Sequence, residues 1–509
     1  MNPFKFIWKH LGTRIWLLVS SIALAFVLIV TLVGTQQPFL RGTLNLVFGF
    51  DRAVIAEERR GLFALDEGIN SPEEMLAKAN AFNETVEEEG IVLLKNNNNT
   101  LPLHTPKSTV SPASANPRVT VFGKNSVNLV VGGSGSADGS SSDNRSVYDS
   151  LTAAGYEFNT TMREFYTKSA SGNGRPKNPN MGAEVFGFAT GENPNGYSSV
   201  RSSYGEYDDA AIVIISRIGG EGYDLPRTMR TQADPGHRRN ETTAGARSQE
   251  DHYLQLDKNE VDMINEACAN FEKVIVVFNT AQTVEAGFLE EDSLYNTLKN
   301  YDIDASKIDA ALWMGLPGSS GAMALGRVLN GNVNPSGHTT DTWATDFTKT
   351  PSYYNFGSNN MKDGNRYLVK GSKADAFYTE YEEGIYVGYR YYETRGFTDG
   401  EEWYKNNVVY PFGYGKSYSD FSWTVKNCSI GDNAVLTGED EITVTVTVTN
   451  NGDYAGKDVV QLYFTAPYSP GGIEKSHVVL GDFVKTPLIP AGESRDVNLS
   501  MKVSDMKSY

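Results

Sequence analysis

Four short runs of this chain, VTVF at 119–122, AIVII at 211–215, VIVVF at 274–278 and AALW at 310–313, are apolar almost throughout. A strand with one face in water alternates apolar and polar side chains, so runs without that alternation are buried on both faces. Helical apolar patterns separate them, among them 258–271 and 321–329. The combination predicts the α/β class, a mainly parallel sheet layered with helices, in which ligands sit beyond the carboxyl ends of the strands.

The loops at those ends are the informative ones. After 122 come Gly123-Lys124-Asn125 and then GGSGS at 132–136; after 215 comes Ser216-Arg217-Ile218-Gly219-Gly220-Glu221-Gly222-Tyr223-Asp224. Asn279-Thr280 follows the third run and Met314-Gly315-Leu316-Pro317-Gly318 the fourth. The stretch 160–207, rich in Asn, Gly, Ser and Tyr, reads as an excursion from the sheet.

From about residue 418 the period becomes two: Ile442, Val444, Val446 and Val448 alternate with threonines, and similar runs contain Val460, Leu462 and Phe464, then Val497, Leu499, Met501 and Val503. Such a pattern predicts a small antiparallel β-sandwich. Ahead of the sheet, Ser71-Pro72-Glu73-Glu74 reads as an N-cap, a first-turn proline and a capping-box acid, opening a helix whose apolar residues Met75, Ala79, Phe82 and Val86 share one face.

The front of the chain has its own physics. IWLLVSSIALAFVLIVTLV at 15–33 carries no charge, and at about 1.5 Å per residue it crosses a hydrocarbon core of roughly 30 Å. Lys5, Lys9 and Arg14 precede it, and no acid occurs in residues 1–50. By the positive-inside rule the short N-terminus stays cytoplasmic and everything after the span is extracytoplasmic. The reading is a single-pass signal anchor; a cleaved signal peptide is the alternative.

With 45 basic against 62 acidic side chains the net charge is −17, which excludes nucleic-acid binding through bulk charge. Cys268 and Cys428 are two distant thiols, read as small buried residues without a disulfide framework. The six histidines show no paired ligand spacing, so no metal and no other cofactor is expected.

The glycine loop at 132–136 is not a nucleotide fingerprint: no lysine follows it, and Asp138 stands where GxGxxG from Gly133 needs glycine. A surface turn is the plain reading; a tight loop approaching a polyhydroxylated ligand is the other. Glu221 by composition is a solvated loop carboxylate. Its collar of Gly219, Gly220 and Gly222, with Tyr223 beside it just past a buried strand, also suits a general acid whose pKa is raised by shielding.

EGIVLLKN at 89–96 with LPL at 101–103, GGSGS at 132–136 and ISRIGGEGYDLP at 215–226 resemble the second domain of glycoside hydrolase family 3. GLPGSSGAMALGRVLNGNVNPSGHTTDTW at 315–343 and YEEGIYVGYRYYE at 381–393 do so too, and VYPFGYGKSYSDFSW at 409–423 resembles the start of that family's fibronectin-III-like domain. The resemblance runs collinearly from about 85 to 509. It implies a retaining exo-β-glycosidase of the β-glucosidase type, with Glu221 as acid/base and Ser134, Ser136 and Tyr223 at the sugar. The oligosaccharide or glycoside substrate is hydrolysed at terminal β-D-glucosyl residues.

A retaining mechanism needs a second carboxylate about 5 Å away. The resemblance places that nucleophile in a (β/α)₈ barrel, which residues 35–84 are too few to form. Ser419-Asp420-Phe421 mimics the family's SDW motif, but Asp420 lies past PFGYG and reads as a turn residue. The order resembles permuted family members, with the barrel expected downstream or in trans and the nucleophile absent from this chain. The expected organisation is a cytoplasmic tail and transmembrane anchor at 1–34, a connector and helix at 35–84, the α/β domain at 85–408 and an incomplete sandwich at 409–509. The expected function is the acid/base-bearing half of a membrane-anchored β-glucosidase, inactive alone. The alternative is a non-catalytic, surface-anchored carbohydrate-binding or structural module.

Overall fold

The computed structural model describes residues 11–36, 69, 71–103, 116–133, 139, 143–175, 190–219, 225, 229–234, 237–353, 366–367, 376–377 and 381–507. The chain divides into two compact units, Met1–Met75 and Leu76–Tyr509. The first contains helix α1, Leu11–Gln36, whose described side chains are largely exposed.

From Leu76 on, in the second unit, the rest of helix α2, Pro72–Gly90, leads into a six-stranded sheet. Its strands are β1 Val92–Asn96, β2 Arg118–Phe122, β3 Glu157–Phe158, β4 Ala210–Arg217, β7 Val274–Thr280 and β8 Ala310–Trp313. The hairpin of β5 Arg230–Asp234 and β6 His237–Thr242 stands between β4 and β7 in the chain. The order across the sheet is β1-β8-β7-β4-β2-β3, parallel throughout except for β1 at the edge.

Successive residues of one strand face opposite layers, and both layers are dry. Ala211, Val213 and Ile215 of β4 join Val274, Val276 and Phe278 of β7 under α4, Thr160–Thr167, and α5, Lys258–Asn270. Ile212, Ile214, Ile275 and Val277 pack under α3, Val147–Ala153, and α7, Met323–Leu329, with α6, Tyr295–Lys299, between α5 and α7 in the chain. That double burial is why the strands read as continuous apolar runs. α3 and α7 cross closely because Gly326 has no side chain; a Cβ there would lie 2.5 Å from the Ser150 carbonyl oxygen.

Small pairs follow: β9 Trp343–Ala344 with β12 Val408–Tyr410, and β10 Arg366–Tyr367 with β11 Ala376–Phe377. α8, Tyr389–Asp399, and α9, Glu401–Asn407, precede β12. β13 Phe421–Cys428, β14 Glu441–Asn450 and β17 Ser494–Lys502 form one antiparallel sheet, and β15 Val459–Phe464 with β16 Val479–Lys485 another. Ile442, Val444, Val446 and Val448 point inward onto Val460, Val497 and Leu499, as the period of two requires. PFGYG, between the two kinds of sheet in the chain, is tied to the body: Gly413 N–H donates to the Thr339 carbonyl at 2.8 Å, and Tyr414 Oη to the Leu94 carbonyl at 3.0 Å.

Two expectations need correction, and the orientation of α2, which the sequence left open, is settled beside them. Cys428 is exposed because β13 is an edge strand with its side chains largely toward solvent, and Cys268, on α5, is only half-buried. The 160–207 stretch is no excursion throughout: α4 lies within it, and Tyr166, Tyr197 and Tyr204 enter the main core. The apolar stripe of α2 faces outward, with Phe82 at 70% and Val86 at 52% exposure, while its polar residues meet the body. Asn83 Oδ1 accepts from Ser320 N and Gly321 N, and Arg327 pairs with Glu84 and Glu88. β1 and β3 were not foreseen, one running antiparallel and the other only two residues long.

Candidate active site

Because β2, β4, β7 and β8 run parallel, Phe122, Arg217, Thr280 and Trp313 end along one edge of the sheet. The chain leaves β2 through Gly123 at φ +111°, where a Cβ would lie 2.5 Å from the Ile214 carbonyl oxygen, so glycine is required. Lys124 then turns inward. Its Nζ donates to the Tyr166 carbonyl and to Ser171 Oγ at 2.7 Å, a structural use of the charge.

Asn279 of β7 is the knot of this edge. It is fully buried, and its Nδ2 donates to the carbonyls of Val130 and Gly315, both at 2.9 Å. Its Oδ1 accepts from Val130 N at 2.8 Å and Ser216 Oγ at 2.9 Å. Two donors and two acceptors are all an amide has, and all are used. One side chain thus joins the ends of β4, β7 and β8 to the segment that enters Gly132-Gly133 two residues on. Ser134, Ser136, Glu221 and Tyr223 lie outside the described residues. Both loops that carry them depart from residues tied by Asn279 or from their immediate neighbours.

Buried acids cluster beside the departure of the Glu221 loop. Glu260 pairs with the fully buried Arg217, whose guanidinium pKa burial lowers and the Glu260 carboxylate raises further, for a net increase. Asp257 accepts from Thr190 Oγ1 at 2.6 Å and caps α5; burial, then the neighbouring Glu260, pushes it to about 7. Burial likewise takes Glu192 to about 8, against the opposing N–H donors of Asn193 and Lys124. Farther along the sheet, Glu285 receives His252 Nε2 at 2.8 Å, Tyr295 Oη at 2.7 Å, Lys299 Nζ at 2.9 Å and Phe347 N at 3.0 Å. Burial would raise it, yet His252 and Lys299 outweigh that and hold it at about 2. A carboxylate so fully engaged holds structure rather than protons for transfer.

A cavity of about 490 Å³ opens beyond Trp313, Met314 and Leu316 against Phe412, Leu480 and Phe483. Glu87 also lines it, and burial raises that carboxyl to about 8. Asp420 lies just ahead of β13, and its carbonyl accepts from Asn451 N at 2.7 Å, one step beyond the Phe421–Asn450 pair of β13 and β14 and not within a turn.

The model of the glycosyl hydrolase family 3 C-terminal domain matches residues 91–389, more than half of the chain. The chain belongs to glycoside hydrolase family 3. Beta-glucosidase A of Butyrivibrio fibrisolvens is 33% identical over 441 residues, covering 83% of this chain and 45% of that protein. A beta-glucosidase of Ruminococcus albus is 28% identical over 425 residues, covering 83% and 36%. The chain therefore spans less than half the length of these curated relatives. Among solved structures, beta-glucosidase 3B from Thermotoga neapolitana in complex with glucose aligns at a TM-score of 0.60 and 26% identity, over 85% of this chain and 50% of that one. A beta-glucosidase from Paenibacillus barengoltzii aligns at 0.59 and 27%, over 84% and 38%.

Sequence reasoning found the family's strand-end loops but gave Asn279 and Arg217 no task. Asn279 stood in a polar dipeptide after an apolar run, the one signal available. Arg217 was visible only as a letter inside ISRIGGEGYDLP.

Proposed function

We propose that this chain is the acid/base-bearing half of a retaining exo-β-glucosidase, anchored to a membrane by α1 and acting on terminal β-D-glucosyl residues of oligosaccharides or glucosides. The observation that carries the reading is the Asn279 knot, which ties together Val130 and Ser216, from whose neighbours the GGSGS and Glu221 segments depart, at the carboxyl ends of the strands. The β-glucosidase names of the relatives, and the glucose in the Thermotoga structure, support the sugar.

In this reading Glu221 protonates the glycosidic oxygen as the bond breaks, then removes a proton from the water that releases the sugar. Ser134, Ser136 and Tyr223 hold the sugar. The nucleophilic aspartate comes from a (β/α)₈ barrel, downstream or in trans. The outward apolar stripe of α2 and the cavity beside Val86 and Glu87 suit an apolar partner surface of that kind.

The test uses aryl β-glucosides. Residues 1–509 alone should release no aglycone, since proton donation contributes only about a hundred- to ten-thousand-fold and cannot replace the covalent step. With the barrel present, Glu221→Ala should slow poor leaving groups by a hundredfold or more, while azide restores turnover of activated ones. Normal rates on cellobiose would remove Glu221 from the role. An inactive product that binds glycans, with no barrel to partner it, would favour the non-catalytic module.

A further inference from the structure

Arg217 is the last residue of β4, is 1% exposed, and stands four residues before Glu221. A guanidinium has five N–H groups, and here each has an acceptor. Nε donates to the Tyr253 carbonyl at 2.5 Å; Nη1 to the Ser216 carbonyl at 2.9 Å and Glu260 Oε1 at 2.6 Å; Nη2 to the Gln255 carbonyl at 2.8 Å and Glu260 Oε2 at 2.8 Å. Glu260 is itself fixed, since its Oε2 also accepts Asp257 N in the capping box of α5. The guanidinium also lies over the Tyr253 ring, 5.3 Å from its centroid.

Tyr253 in turn bonds one flank of the Glu221 loop and shares a side-chain cluster with the other. On the near side its Oη accepts the amide of Ile218, the first residue past β4, at 3.1 Å. On the far side Leu225 packs into the small cluster of Tyr253 and Met229. The flanks also approach each other: a Cβ on Gly219 would lie 3.3 Å from Leu225 Cδ2, tighter than ordinary van der Waals contact, so the leucine would have to shift by a few tenths of an ångström. Buried ion pairs add little net stability compared with apolar packing of the same volume, so a five-donor lock at this point is better explained by what it immobilises.

We propose that Arg217, Glu260 and Tyr253 form a positioning clamp that fixes both ends of the loop carrying Glu221 and thereby sets the acid/base against the glycosidic oxygen. The proposal rests on Glu221 as the acid/base. None of the three is a catalytic residue; they act through the loop. A displacement of the acid of about 1 Å is enough to cost on the order of a hundredfold in proton transfer to a poor leaving group.

The experiment compares Tyr253→Phe, Arg217→Lys and Glu221→Ala in the enzyme assembled with its barrel. Tyr253→Phe removes only the hydroxyl that holds Ile218, so the fold survives; Arg217→Lys keeps the charge and loses the fork. The readout is kcat/KM, which reports steps up to glycosyl-enzyme formation, for cellobiose and for dinitrophenyl β-glucoside, with the unfolding midpoint measured alongside. The expected result is a loss of about tenfold or more on cellobiose with dinitrophenyl glucoside kept within about twofold, because an activated leaving group needs no proton. Equal losses on both substrates, tracking the folded fraction, would reduce the clamp to a structural element, and unchanged rates on both would remove it. If Glu221→Ala shows the leaving-group dependence and the clamp variants do not, the clamp alone fails. If Glu221→Ala lacks it, the acid assignment fails and the clamp with it.

Discussion

Two buried carboxylates of this chain respond to pH in opposite directions because their neighbours differ. Glu87 is 9% exposed, its Oε1 accepts no hydrogen bond among the described residues, and burial lifts it from the ordinary 4.5 to about 8. Between those values the folded chain keeps a proton that the unfolded chain has lost, so this group's contribution to stability falls as pH rises. Glu285 is held at about 2 against its burial by His252 and Lys299, so its contribution is present above pH 4.5 and is lost as pH falls toward 2. Glu87→Gln should therefore flatten the decline on the alkaline side by on the order of 2 kcal/mol, leaving the acid limb as it was. Urea midpoints at about pH 5 and pH 8 check it. Part of the slope should remain, since burial raises Glu192 in the same direction. An unchanged slope in the variant would mean Glu87 is solvated. None of this was legible in the sequence: both are acids among 62, and only packing distinguishes one with cations from one without.

At the scale of elements, periodicity located the helices and strands and left their orientation open. The expected runs 119–122, 211–215, 274–278 and 310–313 all lie within observed strands, because burial on both faces leaves a mark on every residue of a strand. The cap at Ser71 was legible too, with Glu74 N donating to Ser71 Oγ at 3.2 Å. What periodicity left open was which face of α2 turns inward. An apolar stripe is ordinarily the buried face, yet here the asparagines and glutamates meet Ser320, Gly321 and Arg327. The consequence can be measured by chemical denaturation. Phe82→Ser should cost under about 0.5 kcal/mol, as an exposed site does. Asn83→Ala should cost on the order of 2 kcal/mol, since it strips acceptors from Ser320 N and Gly321 N and a donor from the Pro317 carbonyl. The reverse ranking would place the stripe against the body.

At the scale of the whole molecule, the change of period along the sequence matches a change from a helix-layered sheet to small antiparallel sheets, while Leu76–Tyr509 forms one compact unit. The four proposed site residues were found only through motifs, because loops carry no periodicity and their chemistry depends on what meets them across the strand ends. The front of the chain poses the last question. α1 has 26 residues, a length of about 39 Å, and its 11–29 stretch is long and apolar enough to cross a membrane; a signal sequence has the same character. Lys5, Lys9 and Arg14 precede the apolar stretch proper, so an uncleaved α1 is expected to leave the N-terminus cytoplasmic and to expose residues 35–509 on the outer side, where the proposed substrate would meet them. Protease added to intact protoplasts should then digest the body and spare an N-terminal fragment that stays in the membrane pellet after alkaline extraction. Protection of the body until the cells are lysed would overturn the orientation. Recovery of a soluble body that begins near residue 35 would instead identify α1 as a cleaved signal, leaving the protein secreted and free of the membrane.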